Sequence, residues 1–186
     1  MNRKLLSAAL LIVALAPGAA GAASVGLGVY GGASIPLVQD DNGSGSLFGL
    51  RVPVNLVPLL TVEPYFAKTS GGDKSQDVGG ISYTRSGIDD TAFGANVLFT
   101  FGTGMQLYPF VGVGSNHLKR PGLDATQTGY DFGLGLGFKV PVTGLSVQLR
   151  GALNMVTDPG STETSRKWGE ITAGVSYGLL HFPPVP

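Results

Sequence analysis

Residues 130–156 alternate between apolar and polar or glycine positions along two successive arms. Because neighbouring side chains of a β-strand point to opposite faces, this pattern predicts a hairpin with one apolar face and one polar face. Strands of globular proteins cluster near five or six residues, whereas a tilted strand needs about ten to cross a bilayer. The length of both arms therefore favours a membrane-spanning β-structure.

Residues 1–22 have the composition of an export signal. Arg3 and Lys4 precede an apolar run from Leu5 to Ala16, and Ala20-Gly21-Ala22 matches a cleavage site. We predict cleavage after Ala22, and a retained N-terminal anchor is the alternative. After this segment, no apolar stretch approaches the roughly 20 residues of a spanning helix, so the mature chain would enter a membrane only as a closed barrel.

The hairpin serves as a template for residues 23–182, which divide into eight alternating segments. They predict an all-β fold, an eight-stranded antiparallel up-and-down transmembrane β-barrel. Pro53 and Pro64 lack a donor for the strand ladder and predict bulges or gaps in the pairing. Residues 183–186 form a proline-rich tail. The predicted strands are Ser24–Ile35, Leu47–Leu56, Leu60–Ala67, Thr91–Phe101, Gln106–Asn116, Tyr130–Val140, Leu145–Val156 and Trp168–Leu179.

The connections between these segments alternate in length. Three short ones lie near residues 57–59, 102–104 and 141–144, and four long ones near 36–46, 68–90, 117–127 and 157–167. Outer-membrane barrels have tight periplasmic turns and longer extracellular loops. Aromatic residues on the outward face also gather near both ends of the strands, as at the two interfaces of a bilayer. A soluble barrel or a lipocalin-like carrier is the alternative.

Composition narrows the possible functions. Charged residues make up 13% of the chain, against about 25% for a typical soluble domain. The formal net charge is zero, which gives no indication of a nucleic-acid partner. Cysteine is absent and only His117 and His181 supply imidazole, so we predict no cofactor and no transition-metal site.

The signal peptide, the alternating strands, the loop asymmetry and phrases such as VEPYF (Val62–Phe66) and YPFVGVG (Tyr108–Gly114) resemble the small outer-membrane barrels of the OmpA transmembrane domain and OmpX type. The resemblance implies an outer-membrane location in a Gram-negative-type envelope. Members of that group include anchors, adhesins, narrow channels and lipid-modifying enzymes. Such barrels usually finish on an aromatic residue, whereas here Phe182 is followed by Pro-Pro-Val-Pro.

Strand parity places a set of charged side chains in the lumen. Buried charges are costly unless they are paired, so these residues predict an ion-pair network that plugs the barrel. If residues 141–144 form the turn, Arg150 lies opposite Gly135, which would leave room for its side chain. Inward glycines would leave water-filled space, and a narrow channel or ligand-binding lumen is the alternative. The predicted network comprises Arg51, Glu63, Asp131, Lys139 and Arg150.

Ser115 and His117 share the outward face of one predicted strand, with Thr91 opposite His117 and Asp89 diagonal to it. A Ser-His-acid set requires a base within reach of the nucleophile and an acid that orients the base. Outer-membrane lipid A deacylases look similar in placing a serine and a histidine two residues apart, although in the order His-x-Ser. Lipid A acyl hydrolysis by Ser115, His117 and Asp89 is therefore a second alternative to a non-enzymatic role.

The long connections suggest partners outside the cell. Residues 68–90 are rich in Gly, Ser and Asp, and Ile81–Arg85 could extend a strand above the membrane. They are candidates for binding an extracellular ligand, although such loops are often only solvated connections. Asp40-Asp41 and Asp89-Asp90 lack the spacing of a calcium loop. The sequence thus predicts a monomer in contact with outer-membrane lipid or lipopolysaccharide, mainly structural or surface-interacting.

Overall fold

The computed structural model describes residues 24–37, 43–141, 143–157 and 165–181. The predicted signal peptide, the proline-rich tail and Asp40-Asp41 lie outside these ranges. The described part of the chain contains no helix long and apolar enough to cross a membrane. Its strands are β1 (Ser24–Pro36), β2 (Gly43–Arg51), β3 (Val54–Val57), β4 (Leu60–Gly72), β5 (Lys74–Val78), β6 (Ile81–Arg85), β7 (Asp89–Phe99), β8 (Met105–Arg120), β9 (Leu123–Lys139), β10 (Leu145–Thr157) and β11 (Ser165–His181).

The strands form a closed antiparallel barrel in which β11 pairs with β1. β2 and β3 occupy one position in the wall, since both pair with β1 and with β4. The barrel therefore has eight strands, as predicted, and β5 and β6 form a separate hairpin. Closure pairs every strand on both sides, which removes the sheet edges that lipid cannot satisfy.

The predicted gap in the pairing is present at Pro53. The backbone N–H of Val52 donates to the carbonyl of Pro64 at 2.9 Å, and the ladder resumes at Val54 opposite Val62. Pro64 does not interrupt β4, which pairs with β7 without a break from Leu60 to Thr69. Proline costs the ladder a donor on one side only, so the strand continues.

The outward faces carry the apolar residues that strand parity assigned to them. Aliphatic side chains such as Leu27, Val111, Leu134 and Val175 are exposed around the barrel. All nine aromatics predicted for the two interfaces are exposed as well: Phe48, Phe66, Phe93, Phe99, Phe101, Tyr130, Phe132, Phe138 and Tyr177. An exposed apolar surface that encircles a closed barrel suits contact with hydrocarbon and not with water.

The prediction of a long connection at residues 117–127 is wrong. β8 continues to Arg120 and β9 begins at Leu123, so only Pro121 and Gly122 form the turn. The alternation continues there, but the outward positions beyond the girdle of aromatic residues are polar, so they carry no apolar signal of a strand. Inward side chains at this end instead form an apolar cluster of Ile88, Leu118 and Val156, packed against Leu123 and Trp168.

The lumen as candidate functional site

A buried ion pair crosses the middle of the lumen. Arg150 on β10 donates from Nη1 and Nη2 to Oε1 and Oε2 of Glu63 on β4, at 2.5 and 2.8 Å. β4 and β10 lie on opposite walls, since three strands separate them on either side. Arg150 is 7% exposed and Glu63 is 1% exposed. The pair therefore joins the two walls with the bidentate geometry that makes arginine–carboxylate contacts strong.

Neighbouring side chains hold the guanidinium of Arg150 in place. It lies 5.0 Å from the ring centre of Tyr108 and 5.4 Å from that of Phe110, within the range of cation–π contact. Its Nε donates to the hydroxyl of Tyr108 at 3.2 Å, and Nη2 also donates to Oε1 of Gln148 at 2.9 Å. Almost every donor of Arg150 thus has a partner, as a buried charge requires.

Arg51 lies near this pair but is bonded differently. It is 2% exposed, and its guanidinium stacks at 5.0 Å on the ring of Tyr30. Among the described residues, Nε and Nη1 of Arg51 have no hydrogen-bond partner, and neither do Oδ1 of Asp131 and Oδ1 of Asn96. All of these residues line one cavity of about 50 Å³, on the long-loop side of the ion pair. Donors and acceptors therefore face the same small polar space.

The structure does not bring all five predicted network residues together. Asp131 is buried and lines the same cavity as Arg51, but its Oδ1 accepts no hydrogen bond from a described residue. Lys139 is exposed and lies at the short-turn mouth of the barrel. There it helps to line an open vestibule of about 530 Å³, whose walls carry amides and hydroxyls such as Asn55, Gln106 and Ser146.

The predicted pairing of Arg150 with Gly135 is confirmed, but the space at Gly135 serves another residue. A Cβ built on Gly135 would lie within 2.6 Å of three atoms of the Tyr108 ring and hydroxyl. The glycine therefore makes room for Tyr108, which in turn holds Arg150. Other inward glycines are filled in the same way, since Tyr30 covers Gly49 and Tyr65 covers Gly94. They leave less open space than the sequence suggested.

Replacing Gly135 by valine is expected to lower the free energy of unfolding by about 1–3 kcal/mol, because the added methyl groups displace Tyr108. Gly151→Val is the matched control, since a Cβ on Gly151 meets no atom of the described residues within 4 Å. Urea titration of both variants refolded into lipid vesicles measures the difference. Equal stability of the two variants would contradict this role for Gly135.

Glu170 is a lumenal acid that the sequence interpretation missed. It accepts a hydrogen bond from Nε1 of Trp168 at 2.8 Å and lines the same cavity as Arg51 and Asp131. Strand parity alone predicts its position, because Glu170 shares the inward face of β11 with Thr172 and Gly174. The aromatic lining of Tyr30, Tyr65 and Tyr108 was also not identified as a unit, since its members come from three distant strands.

The polar contacts observed for His117 and Asp89 are with residues other than Ser115. Thr91 does lie opposite His117, as predicted. However, Nδ1 of His117 lies 3.1 Å from the hydroxyl of Thr126, and its Nε2 lies 3.5 Å from Asp124. Asp89 instead accepts a hydrogen bond from Ser70 at 3.1 Å. Both ring nitrogens of the histidine thus face residues of β9, Thr126 and Asp124.

No group of three or more metal-ligating His, Asp or Glu side chains occurs among the described residues.

Comparisons with known proteins agree on the architecture. A family model described as the outer membrane protein beta-barrel domain matches residues 5–178. Neisserial surface protein A (NspA) has a similar crystal structure, with a TM-score of 0.56 and 16% identity over 86% of this chain and 99% of that one. The crystal structure of the N-terminal β-barrel domain of Pseudomonas aeruginosa OprF is also similar, with a TM-score of 0.52 and 15% identity over 84% of this chain and 97% of that one. Both likenesses concern the fold, and no curated protein sequence matches the chain.

Proposed function

Because this chain belongs to the outer membrane protein β-barrel domain family and is placed by it in the outer membrane, we propose that it acts there as a monomeric, non-enzymatic barrel with a closed lumen. The observation that carries this proposal is the ion pair between Arg150 and Glu63. It connects opposite walls of the barrel at a level where the interior is filled by Tyr108, Phe110 and Leu98. An interior blocked in this way supports a structural or surface-interacting role.

The contacts of His117 support a non-enzymatic role. With Thr126 and Asp124 beside its two ring nitrogens, His117 is not positioned to take a proton from Ser115. Release of fatty acid from lipopolysaccharide by the refolded protein, abolished by Ser115→Ala, would contradict this conclusion. Contact with outer-membrane lipid follows from the exposed apolar band, and lipopolysaccharide is its proposed partner in the outer leaflet.

Planar-bilayer recording of the refolded protein tests whether the lumen is closed. We expect no steady conductance from the wild type and a measurable conductance from Arg150→Ala, because this change removes the guanidinium that blocks the passage. Lys139→Ala is the matched control. It also removes one positive charge, but from the mouth of the vestibule, and should remain closed. A steady conductance of the wild type would overturn the closed lumen.

Two observations favour a narrow channel or small-ligand-binding barrel as the second candidate. Arg51 offers a further buried cation beside the Arg150 and Glu63 pair. The vestibule of about 530 Å³ falls within the usual size range of ligand pockets and opens at the short-turn end. This candidate predicts wild-type conductance that Arg51→Ala alters. The same recordings therefore separate it from the closed barrel.

A further inference from the structure

The small cavity on the long-loop side of the ion pair is lined by more acidic than basic side chains. The charged residues in its wall are Glu63, Asp90, Asp131, Glu170, Arg51 and Arg150. Arg150 is paired with Glu63, and Arg166 lines the neighbouring cavity together with Asp90. Even if Arg51 balances a third carboxylate, one acid remains in excess. A buried charge is costly unless a counter-charge accompanies it.

Two acceptor oxygens converge at one point of this cavity. Asn96 on β7 and Asp131 on β9 both lie opposite Gly112 of β8 in the ladder. A Cβ on Gly112 would overlap Oδ1 of Asn96 and Oδ1 of Asp131 at the same time. The two oxygens are therefore close to each other. Because Gly112 has no side chain, groups from β7 and β9 can meet across β8.

These two oxygens are deeply buried. Asn96 is 6% exposed and Asp131 is 8% exposed, and among the described residues neither Oδ1 accepts a hydrogen bond. An ionised carboxylate has no proton to donate to the amide oxygen, so the two acceptors repel each other unless a cation lies between them. Carboxylate and amide oxygens are the ligands that Ca²⁺ takes, at 2.3–2.6 Å. The uncharged Asn96 thus indicates a cation independently of the excess of acids.

The cavity has space for an ion with water. Its volume is about 50 Å³, and one water needs about 10–15 Å³ of such space. Ca²⁺ takes six to eight oxygen ligands in flexible geometry, so water can complete a site to which the protein gives few oxygens. A second cavity of about 40 Å³ shares Thr69, Asp90 and Trp168 with the first and reaches Gly43 at the start of β2. It connects the site with the long-loop end.

We propose that the lumen binds one divalent cation of the Ca²⁺ type between Asp131 and Asn96. Asp131 supplies the charged ligand, Asn96 a neutral one, and the ion offsets the excess of acids in the cavity. Because water completes the coordination, we expect an affinity like that of extracellular calcium modules, about 10⁻⁴–10⁻³ M. Ion binding and a closed lumen are independent properties, so calcium titration and conductance can fail separately.

Terbium luminescence of the full barrel in a neutral detergent tests the site. Trp168, the single tryptophan of the sequence, lines the cavity and would sensitise a Tb³⁺ ion bound in place of Ca²⁺. We expect saturable emission that millimolar Ca²⁺ removes. Asp131→Asn should weaken Tb³⁺ and Ca²⁺ binding at least about tenfold, because the charged ligand is lost. Asp89→Asn, the same change at an exposed acid on β7, is the matched control and should bind like the wild type.

Equal affinity of Asp131→Asn and the wild type, or emission that Ca²⁺ does not displace, would overturn the proposal. Stability provides a second measurement, since a ligand that binds only the folded state stabilises it. Ca²⁺ should raise the urea midpoint of the wild type and of Asp89→Asn, but not that of Asp131→Asn. An equal rise with Na⁺ at the same ionic strength would show a general salt effect and also contradict the site.

Asn96→Asp distinguishes a bound ion from a direct hydrogen bond between the two side chains. With an ion between them, a second carboxylate should bind Ca²⁺ more tightly than the amide does. If the amide of Asn96 instead donates to Asp131, the substitution replaces a donor by a second negative charge. Ca²⁺ affinity that is unchanged or weaker in Asn96→Asp would therefore identify the hydrogen bond and reject the cation site.

Discussion

Replacement of Arg150 by alanine is expected to lower the free energy of unfolding by about 3–5 kcal/mol, because it leaves Glu63 buried without its cation. The loss exceeds the net contribution of the ion pair, since it includes the cost of a carboxylate that water cannot reach. Urea titration in lipid vesicles, followed through Trp168, the single tryptophan of the sequence, provides the measurement. Arg150→Lys should recover only part of the loss, because an ammonium cannot bind both carboxylate oxygens in the same plane.

A double variant separates the two contributions. Arg150→Met combined with Glu63→Leu removes both charges and fills a similar volume, so it should be much more stable than Arg150→Ala. Replacements of this kind are often neutral or even stabilising in protein interiors. A double variant as unstable as the single one would show that lost packing, and not the unpaired carboxylate, causes the effect. In that case the proposed role of the ion pair would have to be abandoned.

Replacement of Leu134 by arginine is expected to cost about 2–4 kcal/mol, because the side chain would face hydrocarbon near the bilayer midplane. Leu134 lies on the outward face of β9, between the aromatic positions Tyr130 and Phe132 at one end and Phe138 at the other. In water the same substitution at a residue that is 59% exposed would have almost no effect. The cost therefore reports the lipid contact directly.

Ile81→Arg is the matched control for this prediction. Ile81 is also aliphatic and is 58% exposed, but it lies on β6 in the hairpin that projects from the barrel. Its replacement should change the free energy of unfolding by less than about 0.5 kcal/mol. Urea titration of both variants in vesicles gives the comparison. Similar stability of Leu134→Arg and the wild type would contradict a membrane-facing β9.

Much of the barrel wall is predictable from the sequence because alternation is a local property. The inward or outward direction of a side chain on β8, β9 or β10 depends only on its position along its own strand. The pairing of Arg150 with Gly135 follows from one additional assumption, the position of the turn at 141–144. Apolar alternation no longer marks a strand where its outward positions become polar. From Ser115 onward the outward residues of β8 are polar, and the strand continues beyond its predicted end to Arg120.

The candidate site is less predictable, because its members meet across the barrel. Parity places Arg51, Asp131 and Arg150 in the lumen, but it does not say which acid Arg150 reaches. In the structure the partner is Glu63, on the opposite wall, while Asp131 faces the small cavity beside Arg51. The same limit applies to His117, whose contacts with Asp124 and Thr126 depend on the extension of β8 and β9.

The sequence by itself predicts a membrane barrel and the faces on which most strand residues lie, because strand periodicity and the length needed to cross a bilayer act over a few neighbouring residues. Only the tertiary structure decides how the lumenal side chains combine. The closure of β1 on β11 sets the distance and stagger between opposite walls. That geometry brings Arg150 to Glu63, places Tyr108 over Gly135 and leaves Lys139 at the mouth.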